Sequence, residues 1–94
     1  MSRDAATRAH LGRLSDLGCI CCLLLYGEAT PAEIHHPRQF AGAGQRSPDW
    51  TAIPVCSEHH RGSRGIHGDK TILRQLKTDE AGLLAEALKR VYGR

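Results

Sequence analysis

Apolar positions recur at three- and four-residue steps at the start of the chain. Ala6, Ala9 or His10, Leu14 and Leu17 fall in register, which predicts a helix over Arg3–Leu17 with Asp4 as cap or first-turn acid and Gly18 at its end. GCICC and a short apolar stretch, CLLLYG, follow, and then the breaker-rich EATPAE. Ala32–His36 reads as a short strand stopped by Pro37, which cannot continue a ladder. RQFAGAGQRSPD reads as a Gly-rich loop. WTAIPV reads as a second strand, packed through Trp50 and Ile53 and kept at an edge by Pro54. Beyond Cys56 the pattern turns helical, interrupted by Gly62 and Gly65. A further helix is expected over 69–76 with Ile72, Leu73 and Leu76 apolar, and a last one over 79–92. Thr78 is read as the N-cap of that last helix, Asp79 and Glu80 sit at the positive end of its dipole, and Leu84, Ala87, Leu88 and Val91 form its buried stripe.

With 94 residues the chain has room for one domain, taken as 1–94 with its chemistry concentrated at about 18–68. So small a domain buries only about 60% of the surface its unfolded chain exposes, and one Phe, one Trp and two Tyr add little bulk, so a staple is expected. The longest nearly apolar run, Cys19–Tyr26, has eight residues, well short of the ~20 that span a bilayer, so no membrane partner is expected. The opening MSRDAATRAH mixes acid and base without an apolar core, which argues against a secretory signal and for a reducing cytoplasm. In that setting clustered cysteines bind metal more readily than they pair.

The net charge of +3 is unevenly spread. Residues 38–77 carry seven Lys or Arg against three Asp or Glu, whereas 1–37 carry three against four. His59, His60 and His67 lie in the basic stretch and His35 and His36 just before it, a composition that suits a polyanion.

Cys19-Ile-Cys-Cys22 and Cys56-Ser-Glu-His59 are two ligand knuckles separated by 33 residues. A two-residue spacer lets one tight turn offer two side chains to one ion, and two such turns complete a tetrahedron, so a structural Zn²⁺ is expected at Cys19, Cys22, Cys56 and His59. Cys21 is left as a buried or incidental thiol; four cysteines buried merely as small hydrophobes are the alternative. His10 is set aside as a surface helix residue. His35, His36, His60 and His67 remain, at the ends of neighbouring elements beside Arg38, Arg46, Arg61 and Arg64. They point to a catalytic cluster, because imidazole serves near neutral pH both as metal ligand and as general base.

The order C-x-x-C, I-H-H, a Gly-rich loop and I-P-V-C-x-x-H-H-R-G-x-x-G-I-H-G resembles the HNH (ββα-metal) nucleases, and most closely the phage recombination-enhancement, Ref-like nucleases. The resemblance covers Gly18 to about Gly68 and implies an α+β fold: a zinc-stapled ββα-metal core with a short two-stranded hairpin and flanking helices at about 3–17, 69–76 and 79–92. It also implies that His35, His60 and His67 hold a catalytic divalent ion (Mg²⁺, Mn²⁺ or Zn²⁺). His36 would then be the general base for hydrolysis that leaves 5′-phosphate and 3′-hydroxyl ends.

Neighbouring strand residues face opposite ways, so His35 and His36 share a site only if the strand bends there, which Pro37 favours. Many HNH enzymes orient the base with an Asn. This chain has none, and that leaves Asp49 or Thr51 for the task. His60 and His67 are seven apart, so Gly62 and Gly65 must turn the chain back. The function these features imply is a metal-dependent DNA endonuclease or nickase of phage or bacterial origin. Its partners would be single- or double-stranded DNA and a recombinase filament, with backbone contacts from Arg38, Arg46, Arg61 and Arg64. The alternative is a non-catalytic zinc module that binds nucleic acid or a recombination protein.

Overall fold

A computed structural model describes residues 3–42 and 47–93. Helix α1 spans Ala5–Leu17, capped by Asp4, whose carboxylate accepts from the Thr7 amide at 2.8 Å. Its inward face is His10, Leu11, Leu14 and Leu17, while Ala6 and Ala9 are exposed. Gly18 ends the helix at φ 88°. A Cβ there would lie 2.8 Å from the Thr30 carbonyl oxygen, so the tight exit toward the cysteines requires glycine.

The apolar CLLLYG stretch is a second helix, α2 (Ile20–Tyr26), closed by Gly27 in the left-handed region. Together α1 and α2 are long and apolar enough to cross a membrane. The break at Gly18 and Cys19 divides them into helices of 13 and 7 residues, both short of the ~20 a span needs.

Strands β1 (Glu33–His35) and β2 (Ile53–Val55) pair antiparallel, with Ile34 opposite Pro54 and His35 opposite Ile53. The second strand is shorter than WTAIPV suggests. Asp49–Thr51 forms a 3-10 turn, because the Thr51 amide and hydroxyl both bond back to the Pro48 carbonyl at 2.9 and 2.7 Å. Trp50 therefore lies outside the strand and is 46% exposed. In the loop after Pro37, Arg38–Phe40 forms another 3-10 turn.

Helix α3 (Ser57–Arg61) follows β2 directly, then come α4 (Thr71–Leu76) and α5 (Glu80–Tyr92). The N-cap of α5 is Asp79 rather than Thr78: its Oδ1 accepts from the Gly82 amide at 2.8 Å, which the Thr78 hydroxyl does not reach. Its most buried residues are Leu83 and Ala87, with Leu84 and Val91 packed at the margin. Leu14, Ile20, Ile53, Val55, Ile72 and Leu83 are at most 2% exposed and join α1, α2, β2, α4 and α5 into one core. The result is a small α+β architecture with both strand ends directed at the cysteine and histidine clusters.

One histidine differs sharply from its expected place. His10 is fully buried, stacked on Trp50 at 4.1 Å between centroids and on Tyr92 at 5.6 Å, and its Nδ1 meets the Tyr92 hydroxyl at 2.5 Å. Its neighbours arrive from distant parts of the chain, so local periodicity could not show the burial.

Candidate metal centres

Each cysteine knuckle opens a helix. Cys19 caps α2 and accepts from the Cys22 amide at 3.4 Å, and Cys56 caps α3 and accepts from the His59 amide at 3.4 Å. Helix N-termini and inward N–H groups favour thiolates. The four ligand atoms then face one another. His59 Nδ1 lies 3.6, 3.6 and 3.3 Å from the sulfurs of Cys19, Cys22 and Cys56, and the Cys22 and Cys56 sulfurs are 3.9 Å apart. A tetrahedral zinc with Zn–S of about 2.3 Å and Zn–N of about 2.0 Å requires edges of about 3.8 Å between sulfurs and about 3.5 Å from sulfur to nitrogen. The residues fit that ion.

The thiol hydrogen bond from Cys21 holds Cys19 down to about 4, against the opposing effect of burial. Burial pushes Cys22 up to about 11, so metal entry there must displace a proton. Cys21 itself is fully buried, its pKa raised first by the bond to Cys19 and then by burial, and it stands apart from the ligand quartet.

His35, His60 and His67 form a second convergence, each offering one ring nitrogen within 4.8 Å of the others. His35 comes from the end of β1 and His60 from α3. The chain returns His67 to them through backbone bonds seven residues back: Ile66 donates to the His59 carbonyl and His67 to the His60 carbonyl, both at 2.9 Å. Gly65 permits this fold-back, because a Cβ there would sit 2.6 Å from the His59 carbonyl oxygen. His60 and His67 ring centroids are 4.7 Å apart, and His35 lies 5.1 and 4.9 Å from them.

Two carboxylates fix the rings. Glu80 meets His35 Nε2 at 2.9 Å and Glu33 meets His60 Nδ1 at 2.8 Å, leaving the other nitrogen of each ring for an ion. Carboxylates behind imidazoles are the usual outer support of a metal site. Burial lowers the His35 pKa and keeps its lone pair available, while Arg61 and then His60 hold Glu33 near 2. His35 is buried and His67 exposed, so the triad is closed behind and open in front.

His36 lies just past the end of β1, and with His35, His60 and His67 it lines a cavity of about 390 Å³ that Arg38, Ala41 and Ser47 complete. Its Nε2 meets Asp49 Oδ1 at 2.8 Å, and Arg3 donates to Oδ2 of the same carboxylate at 2.6 Å. Arg3 first and His36 second hold Asp49 near 2, so it is an anion at any working pH. Asp49, rather than Thr51, contacts His36.

The arginines divide differently. Arg38 lines the cavity. Arg61 is occupied by Glu33, through Nε at 2.9 Å and Nη2 at 2.5 Å, and so lies behind His60. Arg64 is exposed but does not line the cavity, and Arg46 lies outside the described residues. Glu33 and Glu80 escaped the sequence reading because their histidine partners are 27 and 45 residues away.

The model of one protein family, described as recombination enhancement, RecA-dependent nuclease, matches residues 4–89. No curated protein and no solved structure matches the chain.

Proposed function

Because the chain belongs to the recombination enhancement, RecA-dependent nuclease family, we propose that it is a metal-dependent DNA endonuclease or nickase with an HNH (ββα-metal) core in a single domain. The observation that carries this reading is the convergence of His35, His60 and His67 on one solvent-facing point, with His36 on the same cavity. The order β1, β2, α3, with histidines at the end of the first strand and on the helix, supports the ββα assignment. Cys19, Cys22, Cys56 and His59 hold a structural zinc that staples α2 to α3, and the three imidazoles hold the catalytic divalent ion. A divalent ion at that point supplies Lewis acidity to a phosphodiester oxygen and to the leaving 3′ oxygen.

The protein's own groups do the remaining work. With Nε2 engaged by Asp49, His36 takes a proton from water at Nδ1. The hydroxide formed attacks phosphorus and the bond to the 3′ oxygen breaks, that oxygen taking a proton from solvent water, which leaves a 5′-phosphate and a 3′-hydroxyl. The Asp49 anion stabilises the imidazolium that forms and fixes the ring, as a buried carboxylate does behind other catalytic histidines. Arg38 contacts the DNA backbone from the cavity rim, a contact that positions without reading sequence. RecA bound to DNA is the natural partner, and the cytoplasm of a bacterium or phage-infected cell the natural setting.

The test is cleavage of supercoiled plasmid with Mg²⁺, Mn²⁺ or Zn²⁺, with and without RecA-coated single-stranded DNA, before and after EDTA. Metal-dependent nicking that His36→Ala reduces at least ~100-fold is expected. Equal cutting by wild type and His36→Ala under every condition contradicts the reading.

A further inference from the structure

We infer that Lys70 is a further DNA-backbone contact, holding the phosphate next to the scissile one in a hollow that adjoins the His36 cavity. The inference rests on the nuclease reading of this cavity. A second hollow, of about 250 Å³, is lined by His35, Arg38, His67, Gly68, Lys70 and Glu80. Three of these residues, His35, Arg38 and His67, also line the cavity that holds His36. The two hollows therefore adjoin at His35, Arg38 and His67, with His36 and His60 lining only the first and Lys70 and Glu80 only the second. A polyanion extending from one hollow into the other past His35 and His67 would meet Arg38 at their shared wall and Lys70 in the second.

Glu80 is the carboxylate in the second hollow, and it is engaged with His35 at 2.9 Å. Among the described residues no carboxylate pairs with Lys70, whereas Arg61 is tied to Glu33. The Lys70 ammonium is thus an exposed, uncompensated charge beside the open side of the triad.

The backbone at Lys70 argues the same way. Lys70 occupies the N-cap position of α4, where extended backbone and a short capping side chain are normal, yet its φ and ψ are 64° and 21° and it makes no side-chain cap bond. Capping is done by Asp69, which accepts from the Thr71 amide at 2.9 Å. The turn fixes the left-handed conformation, since the Lys70 amide donates to the Gly65 carbonyl and its carbonyl accepts from the Leu73 amide, both at 3.0 Å. Glycine would fill this position without strain. Lys77, the other left-handed lysine, sits at the C-cap of α4, where that conformation is usual, and it lines a separate hollow with Arg74 and Asp79. The turn thus holds an unpaired charge beside the triad at a backbone position that glycine would fill with less strain.

Lys70→Gly, Lys70→Arg and Lys77→Gly make the test, since both glycine variants remove one charge and one left-handed lysine. Binding to single-stranded and duplex oligonucleotides would be measured against salt in a His36→Ala background, and cleavage in the otherwise wild-type chain. For Lys70→Gly, a melting temperature within about 3 °C of wild type is expected. The slope of log affinity against log salt should become shallower by about 0.7–0.9, and cleavage should fall roughly tenfold. Lys70→Arg should keep the slope, and Lys77→Gly should bind and cut as wild type does. An unchanged slope for Lys70→Gly, or an equal loss in Lys77→Gly, overturns the assignment while leaving the nuclease reading intact. A parent chain that binds neither bare nor RecA-coated DNA overturns both.

Discussion

At the scale of single residues, roles depend on partners that arrive from elsewhere in the chain. The grouping of Cys19, Cys22, Cys56 and His59 was legible because two-residue spacers are local, and the Cys and His types suit a metal such as zinc. His10 was not: Trp50 and Tyr92 come from 40 and 82 residues away and bury a ring that its own helix would leave exposed. Burial depresses the His10 pKa. The unfolded chain therefore binds a proton more readily there, and the stability that neutral His10 contributes is present above its ordinary value and lost as pH falls below it. His10→Phe should accordingly lose less melting temperature than wild type between pH 7 and pH 5, and equal losses would remove His10 as the titrating group. Of the two residues named for orienting His36, Asp49 is the one whose carboxylate meets the ring, at 2.8 Å. Asp49→Asn should keep the fold and the zinc but lower cleavage by at least ~10-fold, because the imidazolium loses its counter-charge. A variant cutting at the wild-type rate would show that Asp49 does not support the base.

Among elements, the strongly periodic helices α1 and α5 were readable, and their ends less so. Helix α2 escaped because seven residues carry too little periodicity to separate a helix from a buried run, and its start is set by the Cys19 cap rather than by propensity. The turn at Asp49–Thr51 was hidden inside a β-prone string, since Pro48 supplies a carbonyl that the next three residues close upon. At α5 two adjacent capping residues competed, and only Asp79 reaches the Gly82 amide. Replacing Asp79 by Ala should therefore cost about 1 kcal/mol in chemical denaturation, and replacing Thr78 markedly less. The reverse order would restore Thr78 as the cap. Gly18→Ala combines a left-handed backbone with a contact against Thr30, so a loss of about 1–3 kcal/mol is expected, with looser zinc retention because Cys19 follows directly.

Across the whole molecule, a small apolar core is joined to two clusters of metal-ligating side chains of different kinds. The cluster of three thiols and one imidazole joins the N-terminal ends of α2 and α3, with Cys19 and Cys22 buried and Cys56 and His59 half-buried, as suits a staple. The imidazole triad is backed by carboxylates and open at His67, as suits a site that exchanges its occupant. The sequence order of the histidines suggested this division. What it could not supply was the fold-back that returns His67 to His60 and the carboxylates that aim the rings, because both depend on long-range pairing. Since zinc-binding free energy is also folding free energy, Cys19→Ala should lose the cooperative melting transition, whereas His67→Ala should keep it. Metal content of the purified chain, followed through dialysis against a weak chelator, tests the account most directly. Wild type should retain one zinc and bind a second, readily exchanged divalent ion, and a His35→Ala/His67→Ala double variant should keep the first and lose the second. A double variant that still binds both ions as wild type does would contradict the account.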